Sequence, residues 1–145
     1  PQPSSLVLDR FGKLWTVTDG RTAGIPAALY RIDAATRRVE QTYTFAAGDH
    51  PSSVTLNGTR DTLYFINRDV WRMRVDAEEL PVTPFLPYTQ TTYYEVAVDP
   101  LTSEVYVADA IDYVQHGVVY RFTARGAAVD TIRVGITPGS FCFKP

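Results

Sequence analysis

Short runs of alternating or continuous apolar residues, each bounded by Gly, Pro, Asn, Asp or Ser, pattern this chain from end to end. Lys13-Leu14-Trp15-Thr16-Val17-Thr18, Thr62-Leu63-Tyr64-Phe65-Ile66-Asn67 and Glu104-Val105-Tyr106-Val107-Ala108-Asp109 are typical. Their length, their β-branched and aromatic content and the turn residues around them predict β-strands. No segment carries an apolar stripe at helical spacing that is long enough to compete. Residues 34–37 and 76–79 could each make one helical turn, but both stand where one strand must pass to the next, and they read as turns.

The runs also repeat. Pro51-Ser52-Ser53-Val54-Thr55-Leu56-Asn57 restates Pro3-Ser4-Ser5-Leu6-Val7-Leu8-Asp9 after 48 positions. Tyr93-Tyr94-Glu95-Val96-Ala97-Val98-Asp99 fills the same slot 42 positions later, and Pro138-Gly139-Ser140-Phe141-Cys142-Phe143-Lys144 follows after another 45. The three runs quoted first are the second strands of these units. Leu29-Tyr30-Arg31-Ile32, Val70-Trp71-Arg72-Met73 and Val119-Tyr120-Arg121-Phe122 are the third strands, one aliphatic–aromatic–Arg–apolar phrase three times over. Fourth strands are predicted over 38–45, 80–86 and 128–134. The middle one, with Pro81 and Pro84 inside it and Pro87 just beyond, is confined to a sheet edge because proline donates no ladder hydrogen bond.

A period in the forties with four strands per unit is the signature of a β-propeller blade. The predicted fold is therefore all-β: a partial propeller with blades over 3–50, 51–92 and 93–137 and the first, inner strand of a fourth over 138–145. Three blades do not close a ring, which takes about four to eight. Either the chain is the C-terminal part of a longer propeller, with its N-terminal half as partner, or copies assemble to complete the circle. The final inner strand favours the first expectation.

Composition narrows the function classes. Of 145 residues, 45% are apolar and 21% charged, which is globular composition. The net charge is −2 with Lys and Arg scattered singly, so there is no basic footprint for nucleic acid. The single cysteine, Cys142, sits between Phe141 and Phe143 and is expected to be a buried structural thiol. No phosphate loop, dinucleotide fingerprint or Gly-x-Ser-x-Gly elbow is present, and no cofactor is expected.

Strand alternation sorts the connections onto two faces. Loops after first and third strands are short turns, such as 9–12, 57–61 and 99–103. Loops after second and fourth strands are long and varied: 19–26, 48–50, 90–95 and 109–117. Length variation confined to one face of a repeat array marks the binding face. Tyr93, Tyr94 and Tyr113, with Tyr88 nearby, could stack on a planar or sugar-like ligand. Asp19, Arg21, Asn67, Arg68 and Gln115 are the polar candidates on the same rim, with His116 beside them. The bland readings stand next to these: His50 and His116 as loop histidines, Asp109 as a strand-ending cap, and the strand aromatics Trp15, Tyr64, Tyr106, Tyr30, Trp71 and Tyr120 as packing. For catalysis around an axial metal, the inner-strand starts offer Ser4, Ser52, Glu95 and Gly139, a single carboxylate.

The stretches 9–20, 29–33 and 104–113, with the closing Val134-Gly135-Ile136-Thr137-Pro138-Gly139-Ser140-Phe141-Cys142-Phe143, resemble the YncE-like (YVTN-type) β-propeller surface lipoproteins of Bacteroidetes-type bacteria. The resemblance implies the last half of a seven-bladed ring anchored at the outer membrane of the cell surface. Some members of that group capture cobalamin and pass it to an outer-membrane transporter. It implies a non-enzymatic role in nutrient uptake, with a small molecule and a transporter as partners. A protein-interaction scaffold is the first alternative, and a propeller lactonase or lyase the second.

Overall fold

The computed structural model describes residues 3–89 and 92–144. Eleven strands form three antiparallel sheets, and no helix occurs among the described residues. β1 (Pro3–Leu8), β2 (Lys13–Thr18), β3 (Ala28–Asp33) and β4 (Val39–Thr44) make the first sheet in sequence order. β5 (Ser52–Leu56), β6 (Thr62–Asn67) and β7 (Asp69–Arg74) make the second. β8 (Tyr93–Val98), β9 (Val105–Asp109), β10 (Val118–Phe122) and β11 (Ala128–Arg133) make the third. β1 packs beside β5 and β5 beside β8, so the three innermost strands line a common axis from which the sheets radiate as blades.

The outer position of the second blade is held by a single bridge between Leu86 and Val70, where the sequence predicts a fourth strand. Pro81, Pro84 and Pro87 explain the reduction, because a ladder cannot run through residues without an N–H. The fourth-slot copy over 138–144, predicted as an inner strand, carries no ladder. Its Phe141 and Phe143 rings pack on Tyr106, with centroids 6.3 and 5.3 Å away. Alternation then turns Cys142 outward, and the thiol is exposed rather than buried. Pro145 lies outside the described residues.

Two cores fill the gaps between blades, and β6 explains both. Its Leu63 and Phe65 join Trp15, Val17, Leu29, Tyr43 and Phe45 between the first and second blades. Its Tyr64 and Ile66 join Val70, Val96, Val98, Val105 and Val107 between the second and third. A strand covered on both faces needs apolar residues at every position, which is why Leu-Tyr-Phe-Ile runs without a polar break. The third-strand aromatics Tyr30, Trp71 and Tyr120 are only half-buried, so the core weight lies on the second strands.

At one end of the blades, each first turn opens with an Asx side chain that accepts backbone N–H groups. Asp9 Oδ1 accepts from Phe11 and Lys13, Asn57 Oδ1 from Asp61 and Thr62, and Asp99 Oδ1 from Leu101 and Thr102. Asp9 is itself buried, and its Oδ2 takes the indole N–H of the fully buried Trp15 at 2.8 Å.

Candidate functional site

The opposite end, where the inner strands begin, holds an open cleft of about 810 Å³. It is walled by the starts of β1, β5 and β8 and by the long loops, which is the face that loop variation singles out. Each inner strand enters it through a β-bulge, between Pro3 and Leu6, Ser52 and Val54, and Tyr93 and Glu95. A bulge re-aims side chains at the rim of a sheet. Here the bulges turn Ser4, Ser5, Ser52, Ser53, Tyr94 and Glu95 into the cleft.

The serines link one blade to the next. Ser5 Oγ accepts the Val54 N–H at 2.8 Å, and Ser53 Oγ accepts the Val96 N–H at 3.1 Å. Register puts Glu95 in the slot of Ser5 and Ser53, one residue on from Ser4 and Ser52. Its Oε1 accepts a hydrogen bond from the Ser53 hydroxyl. Burial pushes the Glu95 carboxyl above its ordinary value, and the Ser53 hydroxyl and Val96 N–H offset only part of that.

The rim is aromatic. Tyr88, Tyr93, Tyr94 and Tyr113 all line the cleft. Tyr94 and Tyr113 meet edge to face at 5.9 Å, and the Arg68 guanidinium lies 4.5 Å from the Tyr88 ring centroid. Ser53, Arg68 and Tyr113 hold left-handed backbone angles, φ 51°, 62° and 65°. Non-glycine residues adopt this region at a cost, and such residues gather at functional sites. Asp19 pairs with Arg21 at 3.4 Å, and its backbone carbonyl accepts the His50 Nδ1–H at 2.8 Å.

Of the residues singled out in the sequence, Tyr88, Tyr93, Tyr94, Tyr113, Asp19, Arg21 and Arg68 come together in this cleft. Asn67, Gln115 and His116 do not. Asn67 borders a separate pocket of about 160 Å³ with Phe45, Phe65 and Trp71, and its carbonyl accepts the Trp71 indole N–H. Gln115 folds onto Asp112 through both its side chain and its backbone N–H, each at 2.8 Å, and His116 Nδ1–H donates to the Val134 carbonyl at 3.0 Å. Gln115 and Asp112 close their own loop, His116 ties it to Val134 just past β11, and the Asp112 carboxyl is held down at about 2, first by Gln115. Asp109 is a buried cap: Oδ1 accepts from Thr92 and Ile111, and Oδ2 from the Tyr120 hydroxyl. Gln90 and Thr91, also in the variable loops, lie outside the described residues.

Glu95 and His50 are lining groups to which sequence reasoning gave no binding role. The signal for Glu95 was present in the repeat, where Ser5, Ser53 and Ser140 hold its slot. His50 lay in the 48–50 loop of the varied face but read as an ordinary loop histidine, because its orientation depends on a hydrogen bond across 31 residues. Among the described residues no three His, Cys, Asp or Glu side chains gather as a metal site.

No protein-family model matches the chain, and no curated protein does. Solved structures do. A quinonprotein alcohol dehydrogenase-like protein from Bacteroides thetaiotaomicron superposes with a TM-score of 0.68 at 16% identity, over 90% of this chain and 33% of its own. The β-propeller domain of Myceliophteria thermophila Cps50 (Swd1) gives 0.61 at 18% identity, over 90% and 41%. The fold is a β-propeller. Hydrazine synthase of Kuenenia stuttgartiensis gives 0.69 at 15% identity, over 95% of this chain and 38% of that one. The chain thus spans between a third and about two-fifths of the length of the propeller chains it matches. At these identities the likeness is one of fold.

Proposed function

We propose that this propeller segment captures a small molecule in the cleft at the inner-strand starts, without chemical conversion. The observation that carries the reading is the convergence of four tyrosines, Tyr88 and Tyr113 from two loops and Tyr93 and Tyr94 from β8, on a polar floor of serines and Glu95. Aromatic rings supply large contact area at low entropic cost, while sparse polar groups fix orientation. Cobalamin is the first ligand to test, on the resemblance of the strand and turn phrases to surface lipoproteins that capture it. On that reading the segment works in nutrient uptake at the cell surface and delivers its ligand to an outer-membrane transporter.

Isothermal titration of the protein with cobalamin tests this directly. Saturable binding is expected, weakened roughly tenfold by Tyr94→Ala, the equivalent of about 1.4 kcal/mol. Absence of binding to the protein removes cobalamin from the reading. The scaffold alternative has an observation of its own: the 110–117 loop exposes Ile111, Tyr113 and Val114, the last at 74%. A protein partner recovered with the wild type and lost with Val114→Asp, while cobalamin fails to bind, would favour it.

A further inference from the structure

Glu95 breaks a structural repeat, and the break has a cost. In the first two blades the same slot carries Ser5 and Ser53, each of which accepts the N–H of the next inner strand. A serine would serve that purpose in the third blade as well, and Ser140 holds the slot in the following copy. Instead a carboxylate is placed half-buried on the cleft floor. Its one side-chain partner among the described residues is the Ser53 hydroxyl, a neutral group. None of the ion pairs among the described residues includes it. The two arginines of the cleft are occupied elsewhere: Arg21 with Asp19, and Arg68 over the Tyr88 ring. A carboxylate withdrawn from water without a counter-charge is destabilising unless something supplies one.

The surroundings indicate what would supply it. Tyr93, Tyr94 and Tyr113 line the same cleft, and Tyr94 and Tyr113 stand edge to face. Tyrosine faces attract cations through the ring quadrupole, and a carboxylate among them completes the recognition of an organic ammonium group. We propose that Glu95 is the specificity-determining residue of this cleft and that its ligand carries an amine or quaternary ammonium group, which the carboxylate receives within the tyrosine wall. The proposal rests on the reading of the cleft as a capture site and gives that site a ligand class that competes with cobalamin, whose side chains are amides without an ammonium group.

The test compares choline with its uncharged isostere 3,3-dimethylbutan-1-ol, by NMR titration of the tyrosine ring resonances of the protein. The two probes have the same shape, so any difference between them reports the charge. Choline is expected to bind at least about tenfold more tightly than the isostere, a difference of about 1.4 kcal/mol. Glu95→Gln, and Glu95→Ser, which restores the residue of the repeat, are expected to erase that difference while keeping the cooperative melting transition. Equal binding of the two probes to the wild type would overturn the proposal, as would an unchanged choline preference in Glu95→Gln. Loss of the melting transition in both variants would make Glu95 a structural residue and overturn it too. If neither probe binds, the ammonium class falls. The cobalamin titration then separates the two readings: binding there leaves the cleft as a capture site, and no binding removes that reading as well.

Discussion

At the turn end of the blades, Asp33, Asp61, Asp76 and Asp99 each meet donors made for them, whereas at the cleft end Glu95 meets a serine hydroxyl. The Lys13 ammonium and then Thr36 hold Asp33 far below the usual carboxylate range, and Asn57 lowers Asp61. Arg74 lowers Asp76, and the Leu101 N–H lowers Asp99. Burial moves Glu95 the other way. One residue class, at two ends of the same strands, is thus spent on structure in one place and left available in the other. The difference teaches where to look for function in a repeat fold: at the polar group that the structure does not use. Asp112 shows that the division follows partners rather than position, since it lies on the cleft side and is consumed by its own loop.

Substitutions at the two ends should separate this contrast, beginning with the groups spent on structure. Trp15→Ala removes the largest fully buried side chain and is expected to cost about 3–5 kcal/mol in chemical denaturation. A loss below about 1 kcal/mol would mean that the inter-blade core does not pack as described. Asp9→Ala strips two backbone N–H groups and the buried Trp15 indole of their acceptor. It is expected to cost about 1–3 kcal/mol. Asp19→Ala on the cleft side, measured in parallel, should change stability far less, and equal losses would erase the contrast between the two ends.

Glu95→Gln should act in the opposite direction, because a carboxyl raised by burial favours its protonated form in the folded state. The wild type keeps its full stability at this site below the ordinary value of 4.5 and loses some as pH rises through the raised folded value. The variant is therefore expected to be the more stable protein at pH 7, by less than about 1 kcal/mol at this half-exposed site. The advantage should vanish in melts at pH 4. Arg21, Arg68, His50 and Asp19 share the cleft, so Arg68→Gln serves as the control for a general charge effect. A Glu95→Gln variant less stable at pH 7 would place the residue with the structural carboxylates. The smallest effect belongs to Tyr113→Ala, at a residue that is 54% exposed. Its stability should stay within about 0.5 kcal/mol of wild type, so any loss of ligand affinity in that variant can be read as loss of contact.

Much of this architecture is written in local pattern. The second strands were legible because burial on one or both faces forces alternation or an unbroken apolar run, as in Leu63-Tyr64-Phe65-Ile66. The first turns were legible as short connections that recur at 9–12, 57–61 and 99–103 with turn pairs such as Asn57-Gly58 and Asp99-Pro100. Local pattern failed where a neighbour decided the outcome. Trp71 carries the same signature as a core aromatic yet sits half-buried with its indole on the Asn67 carbonyl. Cys142 looks buried between two phenylalanines until both rings turn to Tyr106 and leave the thiol outside.

By itself the sequence determined the all-β class, the blade repeat and the face on which the varied loops gather. Those follow from hydrophobic period, turn chemistry and loop length, which each segment carries with it. Only the tertiary structure decided which polar residues are free. Gln115 and His116 are as polar as Asp19 and Arg68, but hydrogen bonds to Asp112 and to the Val134 carbonyl consume them, and Asn67 borders a different pocket. Glu95 became visible as the exception because the Ser5–Val54 and Ser53–Val96 bonds cross from blade to blade. Whether a side chain is spent depends on partners that are distant in the chain and adjacent only after folding.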